Sequence, residues 1–224
     1  MCGKSLHLAR HYLDRYLSKA HVHLSQLQLF GATCLLIASK MEDIHPPSVD
    51  DFIYISDRTY STDDFLQAET LILNALDFCL VAPTILDFLP RVGRLFAADL
   101  EGLPGRQHIY WLAEYLAELA LHSPLPTRFL PSVLAWSCLN MALVAATNTL
   151  SSDNDDDERP KGMVTLSVEA TNNCIECTKA VRELWIAAPT RRVQATRIKY
   201  SRTKFGKVAE IDPVLCLLPK FDKS

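Results

Sequence analysis

The chain has 224 residues, 49% hydrophobic and 22% charged, enough for one large domain or for two of about 100 residues each with a core of its own. A formal charge of −3 is too small to argue for a polyanionic or polycationic partner on bulk electrostatics. Residues 1–10 hold no apolar segment ahead of a cleavage site, and Pro131 and Asn140 interrupt the best apolar run, so neither a secretory signal nor a membrane span is expected.

Seven glycines lie singly along the chain and β-branched alternation is scarce, which predicts helix after helix with short breaks. Residues 7–18 place Ala9, Leu13 and Tyr16 or Leu17 on one stripe, an amphipathic helix. A second helix is predicted over 24–40. Its run within GATCLLIASKMEDIHPP (31–47) has no clean polar face, the mark of a helix buried at the centre of an all-α domain. Lys40 falls in its last turn, where the carbonyl end of a helix favours a cation. Ile37, Lys40 and Met41 share one face by i, i+3, i+4 spacing. Pro46 and Pro47 close this helix and open the next. Ser48/Asp51, Ser61/Asp64 and Thr84/Asp87 have the spacing of capping boxes. Glu69 is followed by Leu73 four residues on and by Leu80 seven further, again one charge beside apolar anchors, with Leu80 close to the predicted helix end. A lysine on one helix and a glutamate on the next would grip opposite ends of a partner helix.

At Val81-Ala-Pro-Thr84 the pattern begins again. Helices are predicted over 84–96, 107–122, 129–148 and 171–187, the third nearly all apolar and the last carrying Ile175, Val181 and Leu184. Each half thus holds an apolar central helix flanked by amphipathic ones, as an internal duplication would produce. Two segments break the rhythm. SSDNDDDE (151–158) reads as a solvated loop, since it lacks the glycine and the terminal glutamate of a calcium loop. RRVQATRIKYSRTKFGK (191–207) is basic with Tyr200 and Phe205 interleaved, and reads first as a solvated C-terminal helix and only second as a phosphate-contacting surface.

Candidate chemistry is thin. His7 and His11 stand i, i+4, a zinc-compatible spacing, but with His21 and His23 they find no cysteine or acid to complete a set and read as polar-face histidines. Cys174 and Cys177 form C-x-x-C inside a helical pattern, without a second pair or a preceding strand, so no redox or zinc centre is expected. Seven cysteines, mostly in apolar helical patterns (Cys34, Cys79, Cys138), look like reduced, buried thiols of an intracellular protein. No G-x-S-x-G, Walker loop, kinase signature or spaced carboxylate pair occurs, and the expectation is a non-enzyme with no catalytic residue, no metal and no cofactor.

Four segments carry a family resemblance: LARHYLDRYLS (8–18), LQLFGATCLLIASKMEDIHPPSVDDFIYISDRTYS (27–61), ETLILNALDFCLVAPTILDFL (69–89) and FLPSVLAWSCLNMAL (129–143). In order and over nearly the whole chain they resemble the cyclin box of mitotic A- and B-type cyclins, and IKYSRTKFGKVAEI (198–211) resembles the segment after their second box. The V-A-P-T turn leans to the A-type branch. The resemblance implies an all-α chain of two five-helix boxes in tandem: 1–81, 82–190, and a basic tail over 191–224. It implies a regulatory subunit that binds and activates a cyclin-dependent kinase, in nucleus and cytoplasm. Lys40 and Glu69 match the residues that hydrogen-bond main-chain groups beside the kinase αC helix. Ile37, Met41, Leu73 and Leu80 match the pocket for a kinase isoleucine, with Met41 where the family has an aromatic. The first family helix, bearing an M-R-A-I-L-type motif, has no counterpart here, so the first box is expected to be incomplete, as in an N-terminally truncated product or a divergent member. Asp14 matches an aspartate whose arginine partner lies on that helix, and is expected to lack its partner. Leu27 and Gln28 match one wall of a docking patch for R-x-L substrates, so that docking is expected to be weakened. Two rival readings stand beside this one: a nucleic-acid-binding module of the transcription-factor kind that also uses cyclin folds, and an inactive cyclin fragment.

Overall fold

The computed structural model describes residues 2–95, 105–150 and 168–213, and among these every regular element is a helix. The chain divides into two units, Met1–Thr84 and Ile85–Ser224.

The first unit is built on α1 (Gly3–Lys19), a 3-10 turn (Leu24–Gln26), α2 (Leu27–Glu42), α3 (Val49–Ile55) and α4 (Thr62–Ala75). Helix α2 is its spine, as the unbroken apolar run requires. Leu29, Phe30, Thr33, Cys34, Leu36, Ile37, Ala38 and Ser39 are all buried, more than one stripe can carry, with α1 and α4 packed against it. Thr33 and Ser39 enter this core because each hydroxyl donates to a carbonyl of its own helix, Leu29 O and Leu36 O, both at 2.8 Å. From α1 the core takes Leu8, Ala9, Tyr12 and Tyr16, with Tyr16 stacked on Phe30 at 4.9 Å between ring centroids, while Leu17 stays outside. From α4 it takes Phe65, Ala68 and Ile72.

Helices α3 and α4 begin and end alike. Ser48 Oγ accepts from the Asp51 amide at 3.2 Å while the Asp51 carboxylate accepts from the Ser48 amide at 2.8 Å, and Ser61 and Asp64 repeat the box at the same distances. These bonds hold both carboxyl groups below the usual aspartate range. Each helix then closes on a Schellman-type turn without glycine. The Arg58 amide donates to Ile53 O at 2.9 Å and the Asp57 amide to Tyr54 O at 3.1 Å; the Phe78 amide donates to Leu73 O at 3.0 Å and the Asp77 amide to Asn74 O at 3.1 Å. Asp57, Arg58, Asp77 and Phe78 consequently take positive φ, between 52° and 55°.

The second unit repeats the plan with α5 (Ile85–Leu95), α6 (Arg106–Leu121), α7 (Leu125–Arg128), α8 (Pro131–Leu150), α9 (Val168–Ala187) and α10 (Ala195–Tyr200). Apolar α8 is now the spine, with Leu134, Ala135, Cys138, Leu139, Met141 and Ala142 fully buried and α5, α6 and α9 against it. Residues 195–211, assigned from sequence to a basic tail, are part of this core. Tyr200 is buried against Tyr115, ring centroids 5.4 Å apart, Phe205 meets Tyr200 at 4.7 Å, and Val208 and Ala209 are buried beside them. Apolar content won over the run of cations, whose charged ends can reach water while their stems pack. Gly206, at φ +59°, lies so near His108 that a Cβ would come within 2.3 Å of its ring. The acidic run 151–158 lies outside the described residues.

Two sequence expectations change. His7 is a core residue of the first unit, not a polar-face histidine, because α1 turns it inward with Leu8; His11 is exposed as expected. Cys79 is exposed, since α4 ends at Ala75 and the turn carries Cys79 out of the apolar stripe; Cys34, Cys138, Cys174 and Cys177 are buried.

Candidate functional site

The C-terminal end of α2 faces α4, and there the two charges singled out from sequence meet. Lys40 Nζ lies 2.6 Å from Glu69 Oε1, with the lysine side chain 44% exposed and the glutamate 15%. The last turn of α2 is tied down from α1: the Cys2 amide donates to Asp43 Oδ1 at 2.6 Å, Ser5 Oγ donates to the same oxygen at 3.3 Å, and Lys4 pairs with Glu42 at 3.0 Å. Lys40 thus leaves a fixed helix end, in the last turn of α2, where a cation is favoured.

The apolar anchors separate by depth. Met41 is 47% exposed beside the ion pair, whereas Ile37 is 2% exposed and belongs to the core. A shared helix face fixes direction only; four residues back along α2, that direction leads under α1 and α4. Leu73 is half-buried on α4, and so is Leu80, which stands beyond the helix in the turn that follows it. Sequence reasoning missed two neighbours in that turn: Phe78, 65% exposed, and Val81, 88% exposed. No local pattern marks them, because their exposure depends on where α4 stops. On α4 an open cavity of about 440 Å³ is lined by Asp63, Leu66, Gln67, Thr70 and Leu71.

Leu27 and Gln28 are both exposed at the start of α2, apart from the Lys40 end by the helix length. Asp14 does have a partner. Arg10, one turn earlier on α1, donates from Nε to both carboxylate oxygens at 2.8 Å, an i, i+4 pair that supplies the guanidinium from within the chain. Two of the buried thiols are held protonated. Burial pushes the Cys34 thiol up to about 12 and that of Cys177 to about 11, far from a nucleophilic thiolate. Among the described residues no three His, Cys, Asp or Glu side chains gather into a metal-binding group.

Residues 3–81 match the family described as Cyclin, N-terminal domain, and residues 83–214 match Cyclin, C-terminal domain. The chain belongs to the cyclin family. Among curated relatives, this cyclin is 33% identical to human Cyclin-A2 over 212 residues, covering 94% of this chain and 46% of the relative. It is 37% identical to the G2/mitotic-specific cyclin-A of Hydra viridissima over 220 residues, covering 94% of the chain and 47% of the relative. The chain therefore spans about half the length of the curated relatives it matches. A solved viral cyclin from herpesvirus saimiri superposes with a TM-score of 0.64 at 24% identity over 82% of this chain and 78% of its own, a likeness of fold. The tandem helical units are two cyclin domains, and both of these curated relatives are A-type cyclins.

Proposed function

We propose that this cyclin is a non-catalytic regulatory subunit that binds and activates a cyclin-dependent protein kinase in the cell cycle, acting in nucleus and cytoplasm. The observation that carries the reading is the Lys40–Glu69 pair, with Met41 exposed next to Lys40 on α2, half-buried Leu73 one turn after Glu69 on α4, and half-buried Leu80 in the turn that follows. Lysine offers three donors and the carboxylate only acceptors, so together they can hydrogen-bond a main-chain carbonyl and a main-chain amide left unpaired beside a partner helix. Met41, unbranched and flexible, fills the site where an aromatic would make a stiffer contact. Ile37 supports this surface from beneath. Leu27 and Gln28 offer one wall for R-x-L peptides, and substrate docking there is weak.

Phosphoryl transfer by a kinase requires its β3 lysine to pair with a glutamate on αC. A cyclin that binds only the state with αC turned inward draws the population to it. A shift from 1:99 to 99:1 takes about 5.5 kcal/mol of differential affinity. Charge-assisted hydrogen bonds contribute about 1.5–3 kcal/mol each, and full burial of an aliphatic anchor about 1.5–3 kcal/mol. Two such bonds and one anchor reach the requirement before ordering costs.

The test is co-purification and histone-peptide kinase activity with a cyclin-dependent kinase, comparing the parent chain with Lys40→Ala/Glu69→Ala. Loss of both, at unchanged far-UV circular dichroism, is expected. A double variant that still co-purifies and activates would reject the assignment.

A further inference from the structure

One side of α1 reaches across to the chain that leaves α4. Tyr12, Arg15 and Lys19 stand at i, i+3 and i+7, on one side of the helix, and all three donate to main-chain carbonyls at the far end of α4. Tyr12 Oη donates to Leu80 O at 2.7 Å, Arg15 Nη1 to Cys79 O at 2.6 Å, and Lys19 Nζ to Ala75 O at 2.7 Å. Lys19 also pairs with Asp77 at 3.3 Å. Here the chain has left the helix, takes two consecutive residues through positive φ at Asp77 and Phe78, and then runs without regular structure to Thr84. The amides of Leu76 to Cys79 bond back to α4 and within the turn, whereas the carbonyls of Ala75, Cys79 and Leu80 take their donors from α1, which ties the exit from the turn to that helix. Nothing apolar holds Phe78 or Val81, which are exposed.

We infer that Tyr12 and Arg15 are positioning residues for kinase docking: they fix the 76–81 turn so that Leu80 is presented with Lys40 and Glu69 to one partner. The inference rests on the kinase-binding reading and assigns to α1 a role at a surface it does not itself form. Tyr12 suits the task because its ring is fully buried while its hydroxyl reaches Leu80 O, and burial, with Glu42 nearby, raises its ionisation to about 12, so the hydroxyl remains a donor at any physiological pH. Arg15 adds a cation near the carbonyl end of α4, where positive charge is favoured.

The experiment uses the full chain with Tyr12→Phe, which keeps the ring and removes one hydroxyl, and with Arg15→Ala and Arg15→Lys. Two quantities are read: hydrogen exchange of the amides in 76–81 against those of α2, and affinity for a cyclin-dependent kinase. Tyr12→Phe and Arg15→Ala should each speed exchange in 76–81 about tenfold, leave α2 protected, and weaken kinase affinity about fivefold or more; Arg15→Lys should restore part of both. In a Leu80→Ala background the affinity effect of Tyr12→Phe should vanish. Faster exchange with unchanged affinity would overturn the inference, as would unchanged exchange. A parent chain that binds no such kinase would instead refute the kinase-binding reading itself, and this inference with it.

Discussion

Ile37 and Met41 stand one turn apart on α2, and their exposures of 2% and 47% predict opposite phenotypes on truncation to alanine. Ile37→Ala removes a buried aliphatic group from the spine of the first unit, which costs about 2–5 kcal/mol once the cavity is counted. For a unit of this size each kcal/mol lowers the melting temperature by about 4–8 °C, so a drop of roughly 8 °C or more is expected. Met41→Ala leaves the core intact and should change stability by less than about 1 kcal/mol. Its effect falls on docking. Full burial of a methionine stabilises by about 1.5–3 kcal/mol, and the exposed half that a partner would cover corresponds to roughly 0.7–1.4 kcal/mol, or about three- to tenfold in Kd. Thermal unfolding measures the first effect, and kinase binding by calorimetry at a temperature where both variants are folded measures the second. A Met41→Ala chain that melts as low as Ile37→Ala, or that binds the kinase as tightly as the parent, would refute the division between core and contact.

Three further predictions concern stability. In the second unit Lys199 pairs with Glu118, whose side chain is 4% exposed and also accepts from Tyr200 Oη at 3.3 Å, while the lysine is 38% exposed; Lys199→Met should cost about 3 kcal/mol by leaving a buried carboxylate without its cation, and Glu118→Gln markedly less, because a freed Lys199 can solvate. Equal losses in urea titrations would contradict that asymmetry. The Glu114 carboxyl is raised above the usual glutamate range by burial and by Glu118, with Lys199 opposing, so the folded chain holds that proton longer than the unfolded one. Stability should therefore fall as pH climbs from the ordinary glutamate range through the raised value, and Glu114→Gln should flatten that fall and unfold at higher temperature at pH 7; parallel melting curves against pH for parent and variant would exclude it. Asp57→Gly relieves positive φ at the position after α3 where glycine is usual, and should stabilise by about 0.5–1 kcal/mol in denaturant titrations; a loss of stability would show that the Asp57 side chain matters more than its backbone.

What could be read from the amino-acid order was what depends on neighbours along the chain. The capping boxes at Ser48 and Ser61, the two apolar spines and the restart near Val81 are all local patterns, and the structure holds them within a few residues. Lys40 and Glu69 were picked out as a pair and stand in contact. Depth was not legible. The spacing that puts Ile37 beside Lys40 cannot say which of them lies under α1. Long-range packing was equally hidden: Tyr200 and Val208 enter the second core across more than eighty residues of chain from Tyr115 and Ile109, and a segment dense in arginine and lysine conceals them. For Asp14 the resemblance pointed outward to a missing helix, while the answer stood one turn away at Arg10. The exposed Phe78 depends on where α4 stops, a boundary that helix periodicity places least well.

The closed contact between Lys40 and Glu69 has one more consequence. A visitor that supplies only an acceptor for the lysine strands a glutamate side chain that is 15% exposed, and one that supplies only a donor for the glutamate competes with an ammonium already at 2.6 Å. On the proposed function a half-matched surface would gain less than one presenting both complements at the right separation. The pair would then set only a small threshold, about 1 kcal/mol or less for an ion pair whose lysine is 44% exposed, for a partner to exceed by offering both complements.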